Sequence, residues 1–188
     1  LIFLKEIIID KKALMLPIIT RELLLRPFVM QDAANVLALS REAAAQAWLP
    51  SQICRDEAHA ADVLAFLIDQ YASPGHPQHG PYVLAIEHRV DRSLIGHVGF
   101  SPLGPDVEIG FAIGQAYQGR GLAIEAITAA AHWAAHRFAL KHILGIAAAA
   151  NQASRHTLAR AEFAYHGDQL RPFQGTMQTV SIYRFTID

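Results

Sequence analysis

Val107-Glu108-Ile109-Gly110-Phe111-Ala112-Ile113-Gly114-Gln115-Ala116-Tyr117-Gln118-Gly119-Arg120-Gly121-Leu122-Ala123 reads as a strand, a polar turn and the first residues of a helix. The strand is rich in branched and aromatic side chains up to Ile113. From Gly121 the period changes: Ala123, Ile127, Ala130, Ala131, Ala134 and Phe138 fall on one helical stripe whose small side chains suit close packing. Gly119 and Gly121 bracket Arg120 where that helix begins. Unpaired backbone N–H groups and the positive end of the helix dipole meet there, which makes the turn a candidate cradle for phosphate oxygens. Two rival phosphate motifs do not fit. Position 124 is Ile where a dinucleotide fingerprint has its third glycine, and no Gly-Lys-Ser/Thr follows. Taken alone, the same glycines also suit a plain turn.

Upstream, Tyr82–Glu87, Ser93–Ser101 and Val107–Ile113 are strand-like, with turn residues Asp91-Arg92 and Gly104-Pro105-Asp106 between them, the pattern of an antiparallel meander. Residues 72–81 hold three prolines and two glycines and read as a surface loop. Before it, Ile18–Phe28 reads as a strand, and Asp32–Trp48 and Asp56–Tyr71 as two helices separated by Leu49-Pro50-Ser51. Downstream, His142–Ala149 reads as a buried strand, Gln152–Glu162 as a short helix, and Phe163–Gly167 and Thr179–Ile187 as closing strands. The order predicts an α/β (α+β) fold with a mixed, largely antiparallel central sheet flanked by helices.

The chain has 188 residues, 52% of them hydrophobic, which suits one domain with a sizeable core, expected over residues 17–188. Residues 1–16 read as an N-terminal extension, since Lys5, Glu6, Asp10, Lys11 and Lys12 break the apolar run into pieces too short for a signal-peptide core. A formal charge of −1 gives no basic excess for nucleic acid or an anionic membrane, so no such partner is expected. The absence of a long charge-free apolar run argues against a membrane span. Cys54 is the single cysteine; with the missing leader it suits a reducing compartment, and cytoplasmic residence is the expectation. His76 and His79 without a third ligand nearby do not make a metal site, and none is expected.

Gln118-Gly119-Arg120-Gly121-Leu122-Ala123 resembles the Gln/Arg-x-x-Gly-x-Gly/Ala signature of the GCN5-related N-acetyltransferase (GNAT) superfamily, and Glu108-Ile109-Gly110-Phe111 resembles the strand that precedes it there. Three further stretches, Thr20 to Phe28, Glu125-Ala126 and Asn151-Gln152-Ala153-Ser154, resemble the subgroup that acetylates the N-termini of ribosomal proteins. The resemblance runs from about Pro17 to the C-terminus and implies an acyl-CoA N-acyltransferase-like fold. It further implies direct transfer of an acetyl group from acetyl-CoA to a primary amine, with a peptide or protein N-terminus as the first expectation. A small amine, such as a polyamine, amino acid or aminoglycoside, is the alternative acceptor, and a non-catalytic acyl-CoA sensor the alternative function; a homodimer is left open.

The resemblance also implies residue roles. Backbone N–H groups of Gln118, Gly119, Arg120, Gly121, Leu122 and Ala123 would hold the pyrophosphate. The strand Glu108–Ile113 would splay from His142–Ala149 with the pantetheine inserted between them, and a backbone N–H among Phe111, Ala112 and Ile113 would polarise the thioester carbonyl, an oxyanion-hole device. Asn151 would face the pantetheine arm, and Ser154 would protonate the departing thiolate, because Leu158 stands where many members have a tyrosine. Glu108 and His166 are the candidate bases. The second marks a departure: in the subgroup's Gly-Phe-x-x-Glu-Gly pattern this chain has Glu162 for the first glycine and His166 for the glutamate. An α-amino group, with a pKa of about 8, needs less help from a base than a lysine at about 10.4.

Overall fold

The computed structural model describes residues 16–72 and 75–187. The expected 1–16 extension, except Leu16, lies outside the described residues, as do Ser73 and Pro74 of the proline-rich loop. In chain order the elements are β1 (Ile18–Ile19), β2 (Leu23–Arg26), α1 (Ala33–Ser40), α2 (Ala43–Trp48), α3 (Glu57–Ala72), β3 (Tyr82–His88), β4 (Leu94–Leu103) and β5 (Asp106–Ile113). Then follow α4 (Leu122–Arg137), β6 (His142–Ala148), α5 (Gln152–Arg160), β7 (Ala164–Phe173) and β8 (Thr176–Thr186). One eight-stranded sheet runs in the order β1-β2-β3-β4-β5-β6-β8-β7. Every neighbouring pair is antiparallel except β5 and β6.

Helix α4 forms as its stripe requires. Leu122, Ala126, Ile127, Ala130, Ala131 and Ala134 are buried on the sheet face that carries Leu84, Val98, Ile109, Ile143 and Phe185. The opposite face of β3 and β4 is covered by α1 and α3, whose Ala33, Ala60 and Leu64 close over Ala85 and Leu94. Cys54 is buried in this second cluster, and its N–H donates to Ser40 Oγ at 3.1 Å.

Three expectations need correction. The strand expected over Ile18–Phe28 is two strands, because Thr20 turns the chain: its N–H donates to the Leu23 carbonyl at 3.0 Å, and its hydroxyl meets the same residue. The helix expected over Asp32–Trp48 divides into α1 and α2. Glu42 takes an extended backbone (φ −65°, ψ 150°) between them, and its carboxylate accepts the Gln115 N–H at 2.7 Å. The closing strands are longer than Phe163–Gly167 and Thr179–Ile187: β7 continues to Phe173 and β8 begins at Thr176. Gln174 and Gly175 join them with φ of +50° and +81°, the two-residue turn that matches the twist of a hairpin.

The ends of α4 and α5 explain two further residues. Leu140 N–H reaches the Ala135 carbonyl and Phe163 N–H reaches that of Leu158, the long bond of a Schellman cap, with Ala139 and Glu162 in the left-handed region at φ +51° and +67°.

Candidate active site

Strands β5 and β6 pair at only two positions, Glu108 with Leu144 and Ile109 with Gly145. Beyond Ile109, β5 stays with β4 up to the Gly96–Ile113 pair, while β6 stays with β8 up to Ala148–Val180. A gap therefore opens between Gly110–Ile113 and Ile146–Ala148. Gly114 N–H donates to the Ile95 carbonyl on β4 at 2.7 Å. Strand alternation then turns the backbone of Ala112 and Gly110 toward β4, and that of Phe111 and Ile113 toward the gap. The Ile113 carbonyl is taken by the Gln118 side-chain amide at 2.8 Å. The donors left facing the gap are the N–H groups of Phe111 and Ile113, so of the three residues expected to line it, Ala112 turns its peptide groups away.

The far end of β5 runs through one turn of 3-10 helix, Gln115–Tyr117, into the cradle. Gly119 and Gly121 sit at φ +73° and +81°, and Gly121 is the N-cap of α4. A Cβ on either would meet no protein atom within 4 Å and would project into open space. The first helical bond is Glu125 N–H to the Gly121 carbonyl, and among the described residues the N–H groups of Gly119 to Ile124 make no bond. The arrangement can hold an anion. Arg120 is folded back from it: the guanidinium lies 5.4 Å from the Tyr117 ring centroid, 4.0 Å from Glu22 and 3.5 Å from the buried His88 ring. Glu125, in the first turn, accepts the Glu22 N–H at 2.8 Å and fixes the start of α4 to β2. Arg26, in the Thr20–Phe28 stretch, forks onto Asp32 at 2.8 and 2.9 Å and reaches Glu87 at 2.8 Å. Both stretches thus hold the scaffold rather than touch the gap.

At the other side of the gap, Asn151 caps α5 by accepting the Ser154 N–H at 3.0 Å. The Ser154 hydroxyl makes no hydrogen bond among the described residues. Glu108 lies on the sheet face away from α4, half-buried in a cavity of about 540 Å³ with Ile146, Arg171 and the tip of the β7–β8 hairpin. Ser51, after α2, donates to Gln174 at 3.1 Å and closes an arch over this cavity. Burial pushes the Glu108 carboxyl above its ordinary value, and the Arg171 charge pulls part of that shift back. His166 is exposed beside a β-bulge and lines an adjoining cavity of about 450 Å³ with Arg171 and Arg184. Glu108 and His166 thus line adjoining cavities that share Arg171, while the gap runs from beyond Ile109 along β5 toward the cradle.

Two residues were not anticipated. Arg171 lies in the part of β7 that lacks a buried face. His97, opposite Ala112 and Ala85, is pulled down to about 4 by burial and makes no hydrogen bond among the described residues. The signal for it is a histidine in an otherwise apolar strand, between Gly96 and Gly99. His76, by contrast, stacks edge-on against Phe138 at 5.3 Å, and no three His, Cys, Asp or Glu side chains converge for a metal among the described residues.

A mixed sheet opened beside a glycine-lined helix start defines an acyltransferase of the acyl-CoA N-acyltransferase fold. The chain belongs to the acetyltransferase (GNAT) domain family, whose model matches residues 22–164. Solved structures of similar fold include RimL, the ribosomal L7/L12 alpha-N-protein acetyltransferase in complex with coenzyme A: 18% identity, TM-score 0.74, covering 92% of this chain and 97% of that one. The microcin C7 self-immunity acetyltransferase MccE, in complex with acetyl-CoA and AMP, is 16% identical with a TM-score of 0.74, covering 89% and 94%. The ribosomal-protein-S5-alanine acetyltransferase from Vibrio fischeri is 16% identical with a TM-score of 0.73, covering 91% and 96%. No match is found among the curated proteins. No helix among the described residues is long and apolar enough to cross a membrane.

Proposed function

We propose that this acetyltransferase takes its acetyl group from acetyl-CoA and passes it directly to the α-amino group of a peptide or protein. The observation that carries the reading is the end of β5–β6 pairing at Ile109 with two backbone donors turned into the opening, in line with the free N–H groups of Gly119 to Ile124. Acetyl-CoA supplies an acetyl group activated as a thioester. Its pyrophosphate suits the cradle, where the missing side chains of Gly119 and Gly121 leave the backbone accessible.

The N–H groups of Phe111 and Ile113 are preorganised donors for an oxygen that gains negative charge during acyl transfer. Glu108, with its raised pKa, accepts a proton from the attacking amine directly or through water. Ser154 offers its hydroxyl to the thiolate, and Asn151 holds the helix that carries it. An α-amine, already partly neutral near pH 7, makes the smaller demand on such a base. The arch from Ser51 to Gln174 covers a cavity that admits an extended chain end. RimL and the Vibrio fischeri protein, both named for ribosomal-protein acceptors, lend the peptide reading support.

The test is thermal unfolding with acetyl-CoA, against ATP and NAD, followed by thiol release with peptides beginning in serine or alanine. Acetyl-CoA near a hundred times its Kd should add about 2.7 kcal/mol of stability. Stabilisation without thiol release from any amine would replace the enzyme reading by a sensor.

A further inference from the structure

Glu108, Leu144 and Arg184 occupy one row across β5, β6 and β8 and share the face that the arch covers. Neighbouring strands lie about 4.8 Å apart, so the Glu108 and Arg184 backbones are about 10 Å apart. Arg171 descends from β7 into the same space, lining both the cavity that holds Glu108 and the one that holds Arg184 and His166. Among the described residues, neither Arg171 nor Arg184 makes an ion pair or a side-chain hydrogen bond. The one other carboxylate lining the second cavity, Asp106, faces His142 Nε2 at 2.8 Å. Two guanidiniums without a hydrogen bond or ion pair of their own among these residues thus stand by the carboxylate proposed to receive the amine, Arg171 near enough for its charge to act on Glu108. Such forks recognise carboxylates with paired N–H donors.

Resting on the acetyltransferase reading above, we infer that the acceptor is an acidic amino terminus: a peptide whose first or second residue after the terminal one is Asp or Glu, its carboxylate bound by Arg171 and Arg184. The spacing selects this source. An extended chain advances about 3.4 Å per residue, so an amine at Glu108 places the side chains of the next two residues within reach of Arg184. The carboxylate of a free amino acid, one residue's length from its own amine, spans less of the distance to Arg184 and so is less suited to engage both guanidiniums. The positive pair also discriminates against lysine-rich termini by like-charge repulsion.

The experiment compares kcat/KM for peptides of equal length that begin Ser-Glu, Ser-Gln and Ser-Lys, with free glutamate as a further arm. The expected order is Glu over Gln over Lys, with the Glu peptide favoured about tenfold over Gln, in keeping with a charge-assisted contact. Arg171→Gln should bring that ratio toward one, and Arg184→Glu should invert it in favour of the Lys peptide. Stabilisation of the Arg184→Glu protein by acetyl-CoA establishes that it is folded. Equal rates for the three wild-type peptides, a preference for the Lys peptide, or turnover of free glutamate as fast as the Glu peptide would each overturn the acidic-terminus assignment and leave the acetyltransferase reading standing. Thiol release from no amine would overturn both.

Discussion

Asn151 Oδ1 accepts the backbone N–H of Ser154 at 3.0 Å, so the residue beside the gap is also the cap of the helix that carries the proposed thiolate donor. Asn151→Ala should cost about 1 kcal/mol of stability through the lost cap. It should also weaken acetyl-CoA binding, because α5 then frays at Ser154. Chemical denaturation gives the first quantity and titration with acetyl-CoA the second. A variant as stable as wild type would remove the capping role.

Gly121 and Gly104 separate conformation from ligand contact. Both have positive φ, +81° and +60°, and a Cβ at either meets nothing within 4 Å. Valine at each position should therefore cost a similar ~1–2 kcal/mol of backbone strain. Only Gly121→Val should lower acetyl-CoA affinity, by about tenfold, equivalent to 1.4 kcal/mol. Isothermal titration of both variants decides it, and an equal affinity in the two would dismiss the cradle.

The pH–rate profile reports on Glu108. Its carboxyl lies above the ordinary carboxylate value, so the rate should fall as pH drops through that raised pKa, where the base becomes protonated. Glu108→Gln should abolish this limb and lower kcat about a hundredfold. Arg171→Gln removes the charge that pulls the pKa back, and should shift the limb to higher pH. A limb that survives Glu108→Gln and disappears in His166→Gln would transfer the role to His166.

His97 gives stability its own pH dependence. Its folded pKa, about 4, lies below the unfolded value near 6.5, so the unfolded chain takes up the proton first as pH falls. The stabilisation is whole above pH 6.5, declines between 6.5 and 4, and levels off below; it amounts to roughly 3 kcal/mol at most. Urea unfolding across this range should show a shallower slope for His97→Gln than for wild type, whatever the variant's absolute stability.

How legible each element was in the sequence depended on whether one of its faces is buried. Helix α4 and the β3–β4–β5 meander could be read because burial imposes a period on them. The outer half of β7 could not: Asp168 to Leu170 are exposed, so alternation is not enforced, and Arg171 went unseen with them. The cradle was legible because its glycines carry a backbone requirement. The opening between β5 and β6 was legible through the family resemblance alone, since it depends on where two strands part and not on the pattern of either strand. Glu162 joins the two levels. In the related subgroup a glycine fills this position, and here the backbone is left-handed at φ +67° with the side chain on His132 at 2.8 Å. Glu162→Gly should relieve strain of ~1 kcal/mol, which differential scanning calorimetry would register as a higher Tm.

The two residue pairs that join β5 to β6 also divide the sheet into a five-stranded piece and a three-stranded one. Glu108 stands on the first, Arg171 and Arg184 on the second, and Ser154 on the helix that follows the second's first strand. On the proposed reading, a donor stretched along Phe111 and Ile113 would act as a ninth strand, splinting the two pieces where the polypeptide leaves them apart, and would thereby help set the distance between the proposed base Glu108 and the proposed acceptor-binding Arg171 and Arg184.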